Sequence, residues 1–143
     1  MKLYLIGSLR NPAVPVLAAK IRELGIDCFD DWMAAGPEAD DYWRDYEKAR
    51  GHNYAQAMQG HAARHVFEYD RSHLDSSEVG VLMLPAGKSG HLELGYLIGQ
   101  GKPGYILMPE GDGERWDVMY GFASRIFYRE DDLLIHLRNT YGD

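Results

Sequence analysis

The chain has a single cysteine, Cys28, among 143 residues. A lone thiol excludes an intrachain disulfide, and with it the disulfide-stapled folds of small secreted domains; it fits a reducing cytosol. Basic residues are also scarce, with 15 Lys and Arg against 22 Asp and Glu, a formal net charge of −7. That balance argues against a nucleic-acid groove or an anionic membrane surface, both of which need clustered Lys and Arg. A small phosphorylated ligand needs only one local arginine or a helix N-terminus, so it stays open. No apolar run approaches a membrane span, and the opening MKLYLIGS is too short and too strand-like for a signal peptide. A soluble cytoplasmic protein is expected. None of the six histidines forms an HxH or HxxxH pair with an acid beside it, so no metal site is expected. The glycines of GQG close a helix rather than open one, which is no dinucleotide fingerprint, and no cofactor is expected. There are no repeats and no low-complexity tract.

What is present is an alternation of apolar strands and helical patterns. KLYLI (2–6) ends at Gly7-Ser8 and predicts a buried first strand. Pro12 to Gly25 carries Val16, Leu17, Ile21 and Leu24 at helical spacing, with Gly25 as a stop. IDCFDDW (26–32) predicts a second strand, followed by a polar loop through AAGPEADD of active-site length. Asp41 to Ser77 is helical, broken at Gly51 and Gly60, with an apolar face of Ala62, Ala63, Val66, Phe67 and Leu74. EVGVLMLP (78–85) is continuously apolar, as central parallel strands are. AGKSG (86–90) is a tight loop before HLELGYLIGQ (91–100), a helix closed by Gly101 and Pro103. GYILMP (104–109) predicts a strand, ERWDVMYGFAS (114–124) a helix, RIFY (125–128) a fifth strand and REDDLLIHLRNTY (129–141) a terminal helix. The pattern predicts one α/β domain over residues 1–143, doubly wound, with a mostly parallel five-stranded sheet in Rossmann-like, flavodoxin-like order. Ligands in such sheets sit at the carboxyl ends of the strands, where the loops Gly7–Asn11, Asp30–Ala39 and Pro85–Gly90 fall.

Glu93 lies among Leu92, Leu94, Leu97 and Ile98, directly after the strongest strand. A glutamate in a first helical turn can simply complement the helix dipole in solvent. Here a short loop places it at the carboxyl edge of the sheet, and two further acids, Asp70 and Asp75, precede the same strand. The residues therefore point to an acid-rich crevice. Paired carboxylates suit glycosidic chemistry: one attacks or shields the anomeric carbon and the other handles the leaving group's proton.

In three stretches the chain resembles the nucleoside 2-deoxyribosyltransferase family, which includes the 2'-deoxynucleoside 5'-phosphate N-hydrolases. They are LYLIGSLR (3–10), Asp70 eight residues ahead of Glu78, and LELGYLIGQGKP (92–103), within a match over roughly residues 2–108. The resemblance implies that Glu93 is the nucleophile attacking C1' of the sugar and that Asp70 handles protonation of the departing base. It also implies that Tyr4 hydrogen-bonds the nucleophilic carboxylate and orients it. The glycosyl-enzyme ester would then be resolved by a second base, which is transfer, or by water, which is hydrolysis; both stay open.

GSLRNP (7–12) brings Gly7, Ser8 and Arg10 before a helix, either as an anion cradle or as a plain strand-to-helix turn. Similarity to the N-hydrolase branch implies the cradle, with a 5'-phosphate as its ligand. Transferases acting on free nucleosides carry an aspartate six residues before the nucleophile, where this chain has Gly87. Lys88, Ser89 and Gly90 at a helix N-terminus would instead attract phosphate. Ser89 sits four residues before Glu93 and the branch's serine sits six before, so the match is by loop and not by position. His91 replaces a glycine common in relatives and faces either the sugar's 2' side or solvent. Trp32 is a candidate to stack on a base, or a core residue. Tyr42, Trp43, Tyr46 and Tyr54 suggest an interface or lid. Asp75 and Gly90 complete the candidate substrate-binding set. The implied partner is a small nucleoside or nucleotide, and a homodimer or larger homo-oligomer is expected, since relatives often complete each site with a neighbour's residues. An NAD-type glycohydrolase and a non-catalytic nucleotide-binding module of the same fold are the alternatives.

Overall fold

The computed structural model describes residues 1–109 and 116–142. Among them five strands form one sheet: β1 (Lys2–Ile6), β2 (Asp27–Phe29), β3 (Val79–Met83), β4 (Gly104–Leu107) and β5 (Arg125–Phe127). Their order is β2-β1-β3-β4-β5 and every neighbouring pair is parallel. The helices are α1 (Ala13–Arg22), α2 (Ala39–Ala49), α3 (Tyr54–Met58), α4 (His61–Ser76), α5 (Lys88–Gly99) and α6 (Glu130–Tyr141). This is the doubly wound α/β architecture expected from the alternating pattern, with its topological switch point between β1 and β3. No described helix is long and apolar enough to cross a membrane.

Side chains alternate across the sheet, so β1 feeds two cores. Leu3 and Leu5 join Leu17, Ile21, Leu133 and Leu137 of α1 and α6 on one face. Tyr4 and Ile6 join Leu74, Leu94 and Leu97 of α4 and α5 on the other. Helix α5 lies close to the sheet because glycines leave it room. A Cβ on Gly80 of β3 would collide with Leu97, and one on Gly90 would stand 3.1 Å from both Ile6 Cγ2 and Leu82 Cδ1.

Several boundaries depart from the sequence expectation. β2 ends at Phe29, and Asp31–Ala35 is a 3-10 turn. The reason lies in Trp32, whose indole N–H donates to the Leu5 carbonyl at 2.7 Å. A side chain thus takes the position on β1 that a longer β2 would have filled through its backbone. Lys88, Ser89 and Gly90 belong to the first turn of α5 rather than to a loop. The long helical stretch divides into α2, α3 and α4, with Gly51 in the left-handed region (φ 80°) and Gly60 as the N-cap of α4. The apolar face assigned to α4 is not a core face: Val66 and Phe67 are both 59% exposed, and Leu74 is the residue it buries. Of the expected helix over 114–124, residues 118–122 form a 3-10 turn, and Glu114 and Arg115 lie outside the described residues.

Candidate functional site

Tyr4, the third residue of β1, pairs with Gly80 of β3 at the switch point. Its hydroxyl donates to Glu93 Oε2 at 2.9 Å. The close approach of α5 allows this contact, which ties residues 89 positions apart. Burial is the main influence on the Glu93 carboxyl, pushing it up from 4.5 to about 7. The Tyr4 hydrogen bond opposes that rise and the charge of Asp70 adds to it. Asp70, half-buried on α4, is itself raised above the ordinary carboxylate range by burial. Burial first, then the charges of Glu93 and Asp70, hold the Tyr4 phenol far above its ordinary value, so it remains a neutral donor. Two carboxyls with raised proton affinity thus lie within electrostatic reach of one fixed hydroxyl. Near neutral pH the Glu93 carboxyl is therefore divided between its ionised and protonated forms.

A second feature opens at the carboxyl ends of β1 and β3. A cleft of about 350 Å³ is lined by Ser8, Arg10, Asn11, Pro12, Pro85, Ala86 and Gly87. Ser8 Oγ accepts the Arg10 N–H at 3.1 Å, and the Asn11 side chain accepts the Ala13 N–H at 3.0 Å, so the loop is held by its own polar atoms. Arg10 is exposed and stands 3.4 Å from Asp41 Oδ2 of α2. Gly87 is the N-cap of α5 and supplies no side-chain cap, which leaves the start of that helix available to an anion. Gly7 permits the tight exit from β1: a Cβ there would stand 2.8 Å from Val14 Cγ2.

The remaining candidates are placed differently. Ser89 is exposed on the first turn of α5 and is not among the residues lining the cleft. Gly90 is buried under Ile6 and Leu82, a packing position rather than a ligand contact. Asp75 accepts from the Tyr96 hydroxyl at 2.6 Å and the Gln100 amide at 2.9 Å, hydrogen bonds that pull its carboxyl below the ordinary range. It is committed to the seam between α4 and α5. Trp32 packs against both cores, with its N–H already engaged. His91 Nδ1 stands 2.7 Å from the Gly87 carbonyl, and its Nε2 stands 2.9 Å from the Tyr120 hydroxyl. A carbonyl only accepts, so Nδ1 carries the proton and, in the neutral ring, Nε2 takes the Tyr120 hydrogen.

Sequence reasoning passed over Lys2 of β1, Phe29 of β2 and His73 of α4, which contact one another, with the Phe29 ring also against Tyr4. The i, i+3 spacing of Asp70 and His73 was the available signal, because it puts both on one helix face.

No protein-family model matches the chain, and no curated protein matches it. Solved structures do. A conserved protein from Enterococcus faecalis V583 has a TM-score of 0.65 at 16% identity, over 97% of this chain and 98% of that one. The 2-deoxyribosyltransferase of the psychrotolerant Bacillus psychrosaccharolyticus has a TM-score of 0.62 at 18% identity, over 94% and 90%. The CMP N-glycosidase BcmB of Clostridium botulinum has a TM-score of 0.57 at 12% identity, over 96% and 98%. The likeness is one of fold. It extends over nearly the whole of this chain and of each neighbour.

Proposed function

We propose that this chain is a single-domain member of the nucleoside 2-deoxyribosyltransferase family. In this reading it breaks the N-glycosidic bond of a nucleoside or its 5'-monophosphate, with the monophosphate the better fit. The observation that carries it is the buried Tyr4 hydroxyl donating to Glu93 where the charge of Asp70 also bears. Support comes from the fold shared with proteins named as a 2-deoxyribosyltransferase and a CMP N-glycosidase. The LYLIGSLR and LELGYLIGQGKP stretches add to it.

The ionised Glu93 attacks C1' of the sugar. The C1'–N bond breaks with its electron pair going to the base, and Asp70 supplies the proton that the base takes up. Tyr4 holds Oε2, leaving Oε1 to form the ester. An incoming base nitrogen or a water then attacks C1' and loses a proton, and Glu93 departs as a carboxylate. Division into two displacements lowers the barrier of each. The phosphate of a monophosphate would lie in the cleft of Ser8, Arg10 and Gly87, where Arg10 and the start of α5 offset its charge. The exposed Tyr42, Tyr46, Tyr54, Val66 and Phe67 of α2 to α4 fit a homodimer or larger assembly.

The test is incubation with deoxynucleosides, ribonucleosides, their 5'-monophosphates and NAD, followed by chromatography for free base. Release from a nucleoside or monophosphate that disappears in Glu93→Ala is the expected result. Release from NAD alone would make the chain a glycohydrolase of that class, and tight binding with no release would make it a binding module.

A further inference from the structure

Helix α4 carries Asp70, yet Leu74 is the residue it buries, so apolar packing alone does little to fix its position. What ties it to the sheet is polar and aromatic. Lys2 Nζ of β1 stands 2.8 Å from His73 Nδ1 and donates to Ser76 Oγ at 2.7 Å. The His73 ring stacks on Phe29 of β2, with centroids 4.0 Å apart and planes 13° apart, and Phe29 in turn touches Tyr4 at 5.0 Å. The spacing is informative. Lys2 and Tyr4 are i, i+2 on one face of β1, and Asp70 and His73 are i, i+3 on one face of α4. The Lys2–His73 contact is therefore the rung next to the one where Tyr4 meets Glu93 and the charge of Asp70 bears on both.

We propose that Lys2 and His73 are positioning residues, a clamp that holds α4 and thereby sets Asp70 against Glu93. This rests on the reading of those two acids given above. An ammonium has no lone pair, so His73 Nδ1 must accept and the ring must be neutral with its proton on Nε2. Protonating the ring would set two cations 2.8 Å apart and open the clamp. The charged groups bearing on the ring are Lys2 from β1 and Asp31 from the 3-10 turn, with the Tyr69 ring edge-on from α4 itself. Burial and Lys2 keep His73 below its ordinary 6.5 against the opposing pull of Asp31, so the clamp is closed above that range and opens as the pH falls.

The experiment compares amide hydrogen exchange in wild type, Lys2→Met and Lys2→Arg, with kcat and KM measured on the substrate found by base release. Lys2→Met keeps an unbranched side chain and removes the ammonium, which is both the donor to His73 and the cation 5.1 Å from the Phe29 ring centre. Exchange in α4 should rise about tenfold while that of β3 stays constant, the loss expected for one charge-assisted hydrogen bond. kcat should fall by about tenfold with KM nearly unchanged, and Lys2→Arg should restore both. Acidification should lower the α4 protection of wild type, taken relative to the intrinsic exchange rate at each pH, toward that of Lys2→Met, and Lys2→Met should show no such step. Unchanged α4 exchange in Lys2→Met overturns the clamp whatever the turnover, and raised exchange with full kcat overturns its role in placing Asp70. A wild-type protein that releases no base overturns the glycosidic reading instead, and the exchange comparison still decides the clamp.

Discussion

Tyr4→Phe removes one oxygen from the buried contact and leaves the ring in place. In the wild type the Tyr4 hydrogen bond is the influence that lowers the Glu93 carboxyl, against burial and Asp70, which raise it to about 7. A hydrogen bond to a charged group contributes about 1.5–3 kcal/mol, and about 1.4 kcal/mol corresponds to one pH unit. Losing it should move Glu93 upward by about 1–2 pH units. Near pH 7 the ionised share would fall from about half to between about 1 and 10%, so kcat/KM should drop roughly 5- to 50-fold there. The acid limb of the profile should move up by the same about 1–2 pH units. The assay is the pH dependence of kcat/KM for base release, together with the titration of carboxyl-labelled glutamate by carbon NMR. An acid limb that stays at its wild-type position, or moves down, would refute the assignment of Tyr4 as the group that favours the ionised carboxylate.

Arg10→Ala should weaken binding of a nucleoside 5'-monophosphate by about 1.5–3 kcal/mol in calorimetry and leave the free nucleoside nearly unchanged. Equal losses for both would make Arg10 structural. Glu93→Gln should stabilise the fold at neutral pH. The raised carboxyl favours the protonated form in the folded state, so wild-type stability is lost as the pH rises from 4.5 through about 7. The gap between Gln variant and wild type in urea melts should open across that window to about 3 kcal/mol, and a constant gap would contradict the burial. Trp32→Phe should cost about 1–3 kcal/mol by leaving the Leu5 carbonyl without its donor, and a neutral result would show that water replaces the indole.

The sheet was legible because its strands are short apolar runs separated by helical patterns, and KLYLI and EVGVLMLP need no tertiary information to be recognised. The end of β2 was not legible. Trp32 reads as strand material, and its actual use, donating across to Leu5, depends on a neighbour 27 residues away. Val66 and Phe67 have the composition of a core face, yet α4 offers them to solvent. Conversely, Glu47 has the composition of a surface residue and is 3% exposed. Glu93 after the central strand and the acids Asp70 and Asp75 ahead of it could be read from pattern alone, whereas the choice of Asp70 and the part of Tyr4 came from resemblance. Their meeting depends on glycines at 80 and 90, which let α5 approach the sheet, a consequence of side-chain volume that no local pattern carries. Asp75 and Ser89 illustrate the same limit from the other side. Both stand near the right elements in sequence, but one is tied to Tyr96 and Gln100 and the other is exposed beyond the cleft.

The most direct measurement is mass spectrometry of a single turnover. The protein is mixed in excess with the best substrate of the panel, quenched in acid, digested and mapped. The account predicts a glycosyl mass on the peptide containing Glu93, absent from Glu93→Gln, together with loss of base release in that variant. Base released at full rate by Glu93→Gln, or an adduct on a different carboxylate, would contradict it.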